Sequence, residues 1–143
     1  MILGQYEGKV GEKSRVGFPS KFREALGDTL IITKGLEHAL IIISEDRYHT
    51  LLEGTEGRPF TDKQSREMQR FLLGNATRVE LDSKGRFILP EYLRIYAHIQ
   101  TDVIFAGIHR FVELWDKKKW EEGQAQLAMN IESIAEKLTK TEN

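Results

Sequence analysis

The chain carries an internal duplication. Lys13-Ser14-Arg15-Val16-Gly17-Phe18-Pro19 aligns without a gap with Lys84-Gly85-Arg86-Phe87-Ile88-Leu89-Pro90, an offset of 71 (Arg86 against Arg15). Self-similarity at a fixed spacing constrains architecture more than any local motif does. The match continues through Phe22-Arg23 against Leu93-Arg94. It resumes with LIITKGLEHALIIISEDRY against VIFAGIHRFVELWDKKKW, where the offset becomes 72 (Gly107 against Gly35). Two copies within 143 residues leave each unit too small to bury a full core alone. The copies are therefore expected to fuse into one pseudo-symmetric, barrel-like domain of the α+β class, mainly β.

Each copy predicts the same order of elements. An alternating segment (Val79 and Leu81 against Arg78 and Glu80) suits a half-buried strand. Asp82-Ser83-Lys84-Gly85 places Asp first and Gly fourth in a type I turn, so Asp82 and Gly85 are the expected turn-capping residues. Arg86 to Leu89 is the expected return strand of a hairpin. Pro90 opens a short helix through Tyr92, Leu93 and Arg94, as Pro19 does for Phe22, Arg23 and Leu26 with Gly27 as its stop. A second strand pair follows, Thr29 to Thr33 with Ala39 to Ile43, and Asp102 to Ala106 with Phe111 to Trp115. Ser44 and Asp116 then stand as N-caps of short helices that turn Tyr48, Leu51 and Leu52, or Trp120, inward. Between the copies, Thr61 and Gln64 form a capping-box pattern opening a helix with Met68, Phe71 and Leu72 on one face and Gly74 at its end. Leu127, Ile131, Ile134 and Leu138 form a helical stripe at the C-terminus. The expected organisation is a first repeat over 1–54, a linker with a helix over 55–74, a second repeat over 75–122 and a C-terminal helix over 123–143.

Charge is divided within each copy. The net charge of −1 gives no bulk attraction to nucleic acid. Yet residues 1–26 hold five basic and three acidic side chains (+2) and residues 57–96 hold eight and five (+3), whereas residues 27–56 (−4) and 97–143 (−2) are acidic. The positive parts coincide with the first hairpin and its helix in both copies. The candidate DNA-binding residues are Lys9, Lys13, Arg15 and Arg23 in one copy, and Lys84, Arg86 and Arg94 in the other. Lysine beside a glycine-permitted turn can approach a phosphate backbone closely, and arginine there can bond guanine N7 and O6 together.

Other chemistry has little footing. There is no phosphate loop, no Gly-x-Gly-x-x-Gly and no Gly-x-Ser-x-Gly. His38, His49, His98 and His109 sit apart without metal-ligand spacing. Asp82 would be the acid of a two-copy active site, but Gly11 stands at its place in the first copy. No catalytic residue, metal, cofactor or small-molecule substrate is expected. The absence of cysteine excludes disulfides and thiolate sites. The longest apolar run, Ala39 to Ile43, is strand-sized, so no membrane partner is expected.

The string LDSKGRFILPEYLR, residues 81–94, resembles the Asp-x-x-x-Arg signature of the MraZ family and, more distantly, the hairpin of AbrB-like swapped-hairpin transcription factors of double-split β-barrel type. The resemblance covers nearly the whole chain. It implies a cytoplasmic, nucleoid-associated transcriptional regulator that assembles into a ring. It further implies a repressor that binds tandem short repeats in double-stranded DNA upstream of the division and cell-wall gene cluster, its own gene included. By position, the signature residues are Asp82 and Arg86, with Arg15 in the first copy. That copy departs from the pattern, with Gly11 in place of the aspartate and Ser14 in place of the glycine. The main alternative is an oligomeric protein-interaction scaffold that reads no bases, of which a swapped-hairpin antitoxin is a variant. An enzyme is the third reading.

Overall fold

The computed structural model describes residues 1–142, with side chains through Lys140. Asn143, at the end of the expected 123–143 segment, lies outside the described residues. Among the described residues there are eight strands: β1 (Gln5–Lys9), β2 (Arg15–Gly17), β3 (Thr29–Lys34), β4 (Leu40–Ser44), β5 (Thr77–Glu80), β6 (Arg86–Ile88), β7 (Asp102–Ile108) and β8 (Phe111–Asp116). The helices are α1 (Ser20–Leu26), α2 (Lys63–Gly74), α3 (Glu91–Tyr96) and α4 (Lys117–Glu142).

The expected local hairpins open just beyond their turns. Gly11 N donates to Arg15 O and Asp82 N to Arg86 O, both at 2.8 Å. Beyond that closure, and in the first copy one further bridge between Val10 and Val16, the two strands of each copy part. β1 pairs with β7 and β5 with β3, so the first strand of either copy joins the other copy's sheet. β2 pairs with its own counterpart β6: Arg15 lies opposite Ile88, Val16 opposite Phe87 and Gly17 opposite Arg86. A three-residue strand cannot bury a face alone, and this exchange lets Val16 and Phe87, both nearly inaccessible, seal one shared core.

Duplication maps Val16 onto Phe87, so their pair is its own image and a pseudo-twofold axis passes through it. Phe18 N donates to Gly85 O and Leu89 N to Ser14 O, each at 2.9 Å, which is one bond seen twice across that axis. The remaining strands form a six-stranded antiparallel sheet in the order β1-β7-β8-β4-β3-β5, unchanged when the copies are exchanged. Its centre is Ile41 opposite Glu113, again an equivalent pair. The register corrects the sequence alignment at one place. Lys34 pairs with Leu40 and Gly107 with Val112, so Gly107 is the counterpart of Lys34 rather than of Gly35. The loop closing the second strand pair is shorter in the second copy, and a gapless comparison absorbs that difference in the wrong strand.

The sheet's inner face packs on the β2–β6 ribbon and on α1 and α3. Leu30, Ile32, Leu40, Ile42, Phe105 and Leu114 meet Val16, Phe87, Phe22 and Leu93 in a single cluster. Pro19 and Pro90 occupy the N-cap rather than the first helical position. Each lends its carbonyl to two amides of the first turn, at 3.0–3.1 Å.

Three helix expectations shift. The α2 start is held by Asp62 and Ser65, whose hydroxyl donates to the Asp62 carboxylate at 2.7 Å, not by Thr61 and Gln64. Ser44 precedes a 3-10 helix, Glu45–Leu52, without a side-chain cap bond, because it is buried inside the sheet. Asp116 does cap, accepting from Lys119 N at 3.3 Å, but the helix it opens is not short. α4 runs unbroken through Gly123, so the two helices expected there are one.

Candidate nucleic-acid interface

Strand alternation sorts the ribbon into two faces. Val16 and Phe87 point into the core, which leaves Arg15, Gly17, Arg86 and Ile88 on the outward side. Sequence reading missed Gly17 and Ile88. Ile88 is 61% exposed, and nothing lies within 4 Å of where a Cβ on Gly17 would stand. The signal that would have found them is the in-out alternation around Val16 and Phe87.

The two turns flank this face at opposite ends. Ser14 lies four residue steps from Phe18, which is bonded to Gly85, so the tips stand about 14 Å apart at a rise of about 3.4 Å per residue. Lys84 and Lys13 are exposed on the tips. Both lack a side-chain partner among the described residues.

The second tip is built as its sequence demands. Gly85 N donates to Asp82 O at 2.9 Å and Gly85 takes φ +75°, a region costly to residues with a Cβ. The Asp82 carboxylate accepts from Lys84 N, Arg86 N and Arg86 Nε, each at 2.9 Å. The bond from the Arg86 amide, helped by Lys84 N and the Arg86 guanidinium, holds this carboxyl below its ordinary range. The first tip lacks the cap. Lys13 and Ser14 both sit at φ 59°, and Arg15 has no ion pair or side-chain hydrogen bond among the described residues, Glu12 included.

The other three candidates lie off the ribbon's outward face. Lys9 is on edge strand β1, 3.9 Å from Asp102. Arg23 donates to Asp28 at 2.7 Å and lies beside the second tip, its Nη1 3.5 Å from where a Gly85 Cβ would be. Its counterpart Arg94 donates to the carbonyls of Ile99 and Gln100. The structure thus brings Lys13, Arg15, Lys84 and Arg86 together, while Arg23 and Arg94 brace the turns that follow α1 and α3. Among the described residues, no three His, Asp or Glu side chains are placed to hold a metal ion, and no helix is long and apolar enough to cross a membrane.

Two swapped-strand copies sharing a core, with an arginine-bearing ribbon on the axis that relates them, define a tandem-repeat β protein that presents one duplicated surface. The chain belongs to the MraZ family. The family model described as "MraZ protein, putative antitoxin-like" matches residues 1–71 and again 72–142. The chain is 44% identical over 138 residues to the transcriptional regulator MraZ of Acetivibrio thermocellus, covering 96% of both chains. It is 41% identical over 138 residues to that of Caldanaerobacter subterraneus subsp. tengcongensis, again 96% of both, and 37% identical over 139 residues to that of Oenococcus oeni, 97% of both.

Proposed function

We propose that the outward face of the β2–β6 ribbon reads DNA, and that the protein works as a transcriptional repressor by binding, without catalysis. The observation that carries this is the pairing of β2 with β6, which sets Arg15 and Arg86 on one open face about a pseudo-twofold axis. A B-DNA major groove about 12 Å wide admits a two-stranded ribbon, and arginine is suited to bidentate contact with guanine. Ile88 beside them offers an apolar contact for a thymine methyl, and Gly17 lets the backbone come close. Lys13 and Lys84 at the flanks meet phosphates. Lys9, Arg23 and Arg94 add positive charge around the site, and Arg23 and Arg94 also brace the turns that follow α1 and α3.

One protomer offers few contacts. Assembly into a ring would present the same ribbon repeatedly, matched to tandem short repeats upstream of the division and cell-wall gene cluster that includes its own gene. Linked weak sites gain about 10² to 10⁴ in avidity when the spacing lets them engage together. The place of action is then the cytoplasm, at the nucleoid. The test is a titration of tandem-repeat and scrambled duplexes at two salt concentrations, with Arg15→Ala and Arg86→Ala alongside. A loss of preference for the repeats in the variants is the expected result, and equal binding of both duplexes by the unaltered protein overturns the reading.

A further inference from the structure

The antiparallel pairing of β4 with β8 builds one corner of the molecule twice, setting the end of each strand beside the start of the other. Each corner thus joins the helix after one copy's last strand to the hairpin tip of the other copy. In the first, the 3-10 helix Glu45–Leu52 faces the His109-Arg110 tip across a cleft of about 310 Å³, lined by Met1, Arg47, Thr50, His109 and Arg110. In the second, the start of α4 faces the loop between β3 and β4 across a cleft of about 580 Å³, whose walls include Glu37, His38, Lys119 and Glu122.

The two clefts share a backbone plan and differ in charge. At the offset of 72 that maps Ile41 onto Glu113, Arg47 maps onto Lys119 and Thr50 onto Glu122. Among the described residues, no carboxylate lines the first cleft, whereas Glu37 and Glu122 line the second. In the second cleft His38 is already engaged, its Nδ1 donating to the Tyr96 carbonyl at 3.0 Å and its ring lying against Tyr96. In the first, the Arg47 guanidinium and the His109 ring have no side-chain partner among the described residues. Arg110 reaches only Glu53, at 4.0 Å and with both side chains more than half exposed, a pair that holds it weakly.

Both walls of the first cleft are nevertheless held in place. His109 N donates to Ile2 O at 2.8 Å and Ile2 N to His109 O at 2.9 Å, which fixes the tip with His109 at φ 63°. Thr50 Oγ1 donates to Arg47 O at 2.8 Å and closes the turn that carries Arg47, while Tyr48 and Leu51 of the same helix pack on Ile31, Ile41 and Ile43. Two guanidinium forks on separate supports repel each other until an oxyanion joins them, and their paired N–H groups match phosphate oxygens.

We infer that this cleft binds the phosphate groups of a free small molecule of the diphosphate class. Its volume lies at the low end of small-ligand sites, enough for two linked phosphates and little more. DNA backbone is the other source of phosphate, but the sheet stands between. The 3-10 helix covers the sheet's outer side, and the β2–β6 ribbon packs on its inner side.

The probe is inorganic pyrophosphate, titrated by calorimetry into the full chain at fixed ionic strength. A single site per chain is expected, weakened by at least about tenfold in Arg47→Ala and in Arg110→Ala. Both side chains are exposed, so their removal leaves the core intact. Glu53→Gln releases Arg110 and is expected to tighten binding by up to about fivefold. Lys119→Ala in the second cleft, and Arg15→Ala with Arg86→Ala on the ribbon, are expected to keep the affinity. Absence of pyrophosphate binding, affinity retained without Arg47 and Arg110, or an equal loss in the Lys119 or ribbon variants overturns the site. A scrambled duplex added to the ribbon variant is expected to leave pyrophosphate bound. Displacement by that duplex would make DNA backbone the source of the phosphate and overturn the free ligand.

Discussion

Arg15 and Arg86 occupy one position on either side of the pseudo-twofold axis, yet only Arg86 is held, its Nε donating to Asp82 at 2.9 Å. Arg15 is unpaired among the described residues because Gly11 stands where the aspartate would be. The ribbon is thus symmetric in backbone and asymmetric in restraint: Asp82 orients Arg86, nothing orients Arg15 among the described residues, and on the proposed reading Arg15 is ordered only when DNA binds. Ordering a long side chain costs about 0.5–1.5 kcal/mol. Gly11→Asp is expected to tighten specific binding by up to about tenfold, read by titration against a single-repeat duplex.

Asp82 gives a pH signature with a defined sign. Its carboxyl ionises more readily in the folded chain, so its contribution is present above the ordinary carboxylate range and is lost as pH falls through the lowered folded value. Asp82→Asn is expected to lower Tm at neutral pH, and the gap to the unaltered protein closes at strongly acidic pH. Thermal melts across pH check it, and a constant gap contradicts it.

Gly85 and Ser14 test the two turns separately. Gly85→Ala keeps ordinary space around the new methyl but forces a Cβ into left-handed backbone, at a cost of about 1–2 kcal/mol. Ser14→Gly relieves the same strain in the first tip, so its effect on chemical denaturation is neutral to stabilising, offset in part by the greater freedom of glycine in the unfolded chain.

Phe87 separates stability from recognition. It is 2% exposed and joins the sheet, the ribbon and Phe18 in one cluster. Phe87→Ala is expected to cost about 3–5 kcal/mol. Its neighbour Ile88→Ala leaves stability nearly unchanged and weakens DNA binding, and equal effects on both properties from either variant contradict the two-faced ribbon.

Glu113 carries the opposite sign from Asp82. Burial raises its carboxyl, with Glu37 adding to the effect, so the folded state pays above the folded value for holding a charge and nothing below the ordinary one. Glu113→Gln is expected to raise Tm at neutral pH, with the gain vanishing in acid. Its counterpart Ile41 shows that an apolar side chain suits the position.

Much of this was legible in the sequence because the duplication repeats each signal. The turn at Asp82-Gly85, both short helices, the β5 and β6 strands and the two later strand pairs lie close to where residue chemistry puts them. What stayed hidden is pairing. Local pattern says that Arg86-Phe87-Ile88 is a strand but not that it pairs with Arg15-Val16-Gly17 instead of the strand before it. The split of the arginines follows the same line. Arg23 and Arg94 recur as faithfully as Arg15 and Arg86, but recurrence does not distinguish a side chain bracing a turn from one facing out. Only the carbonyls of Ile99 and Gln100, brought near Arg94 by the fold, do so.

The most direct measurement is equilibrium binding of a tandem-repeat duplex against a scrambled one across salt, for the unaltered chain, for Arg15→Ala with Arg86→Ala, and for Lys13→Ala with Lys84→Ala. The lysine pair is expected to weaken both duplexes alike and to reduce the slope of log K against log salt by about one unit per lysine in contact. The arginine pair is expected to abolish the preference, at about 1–3 kcal/mol per base-reading arginine. Preference retained without Arg15 and Arg86 would contradict the ribbon as the reading surface.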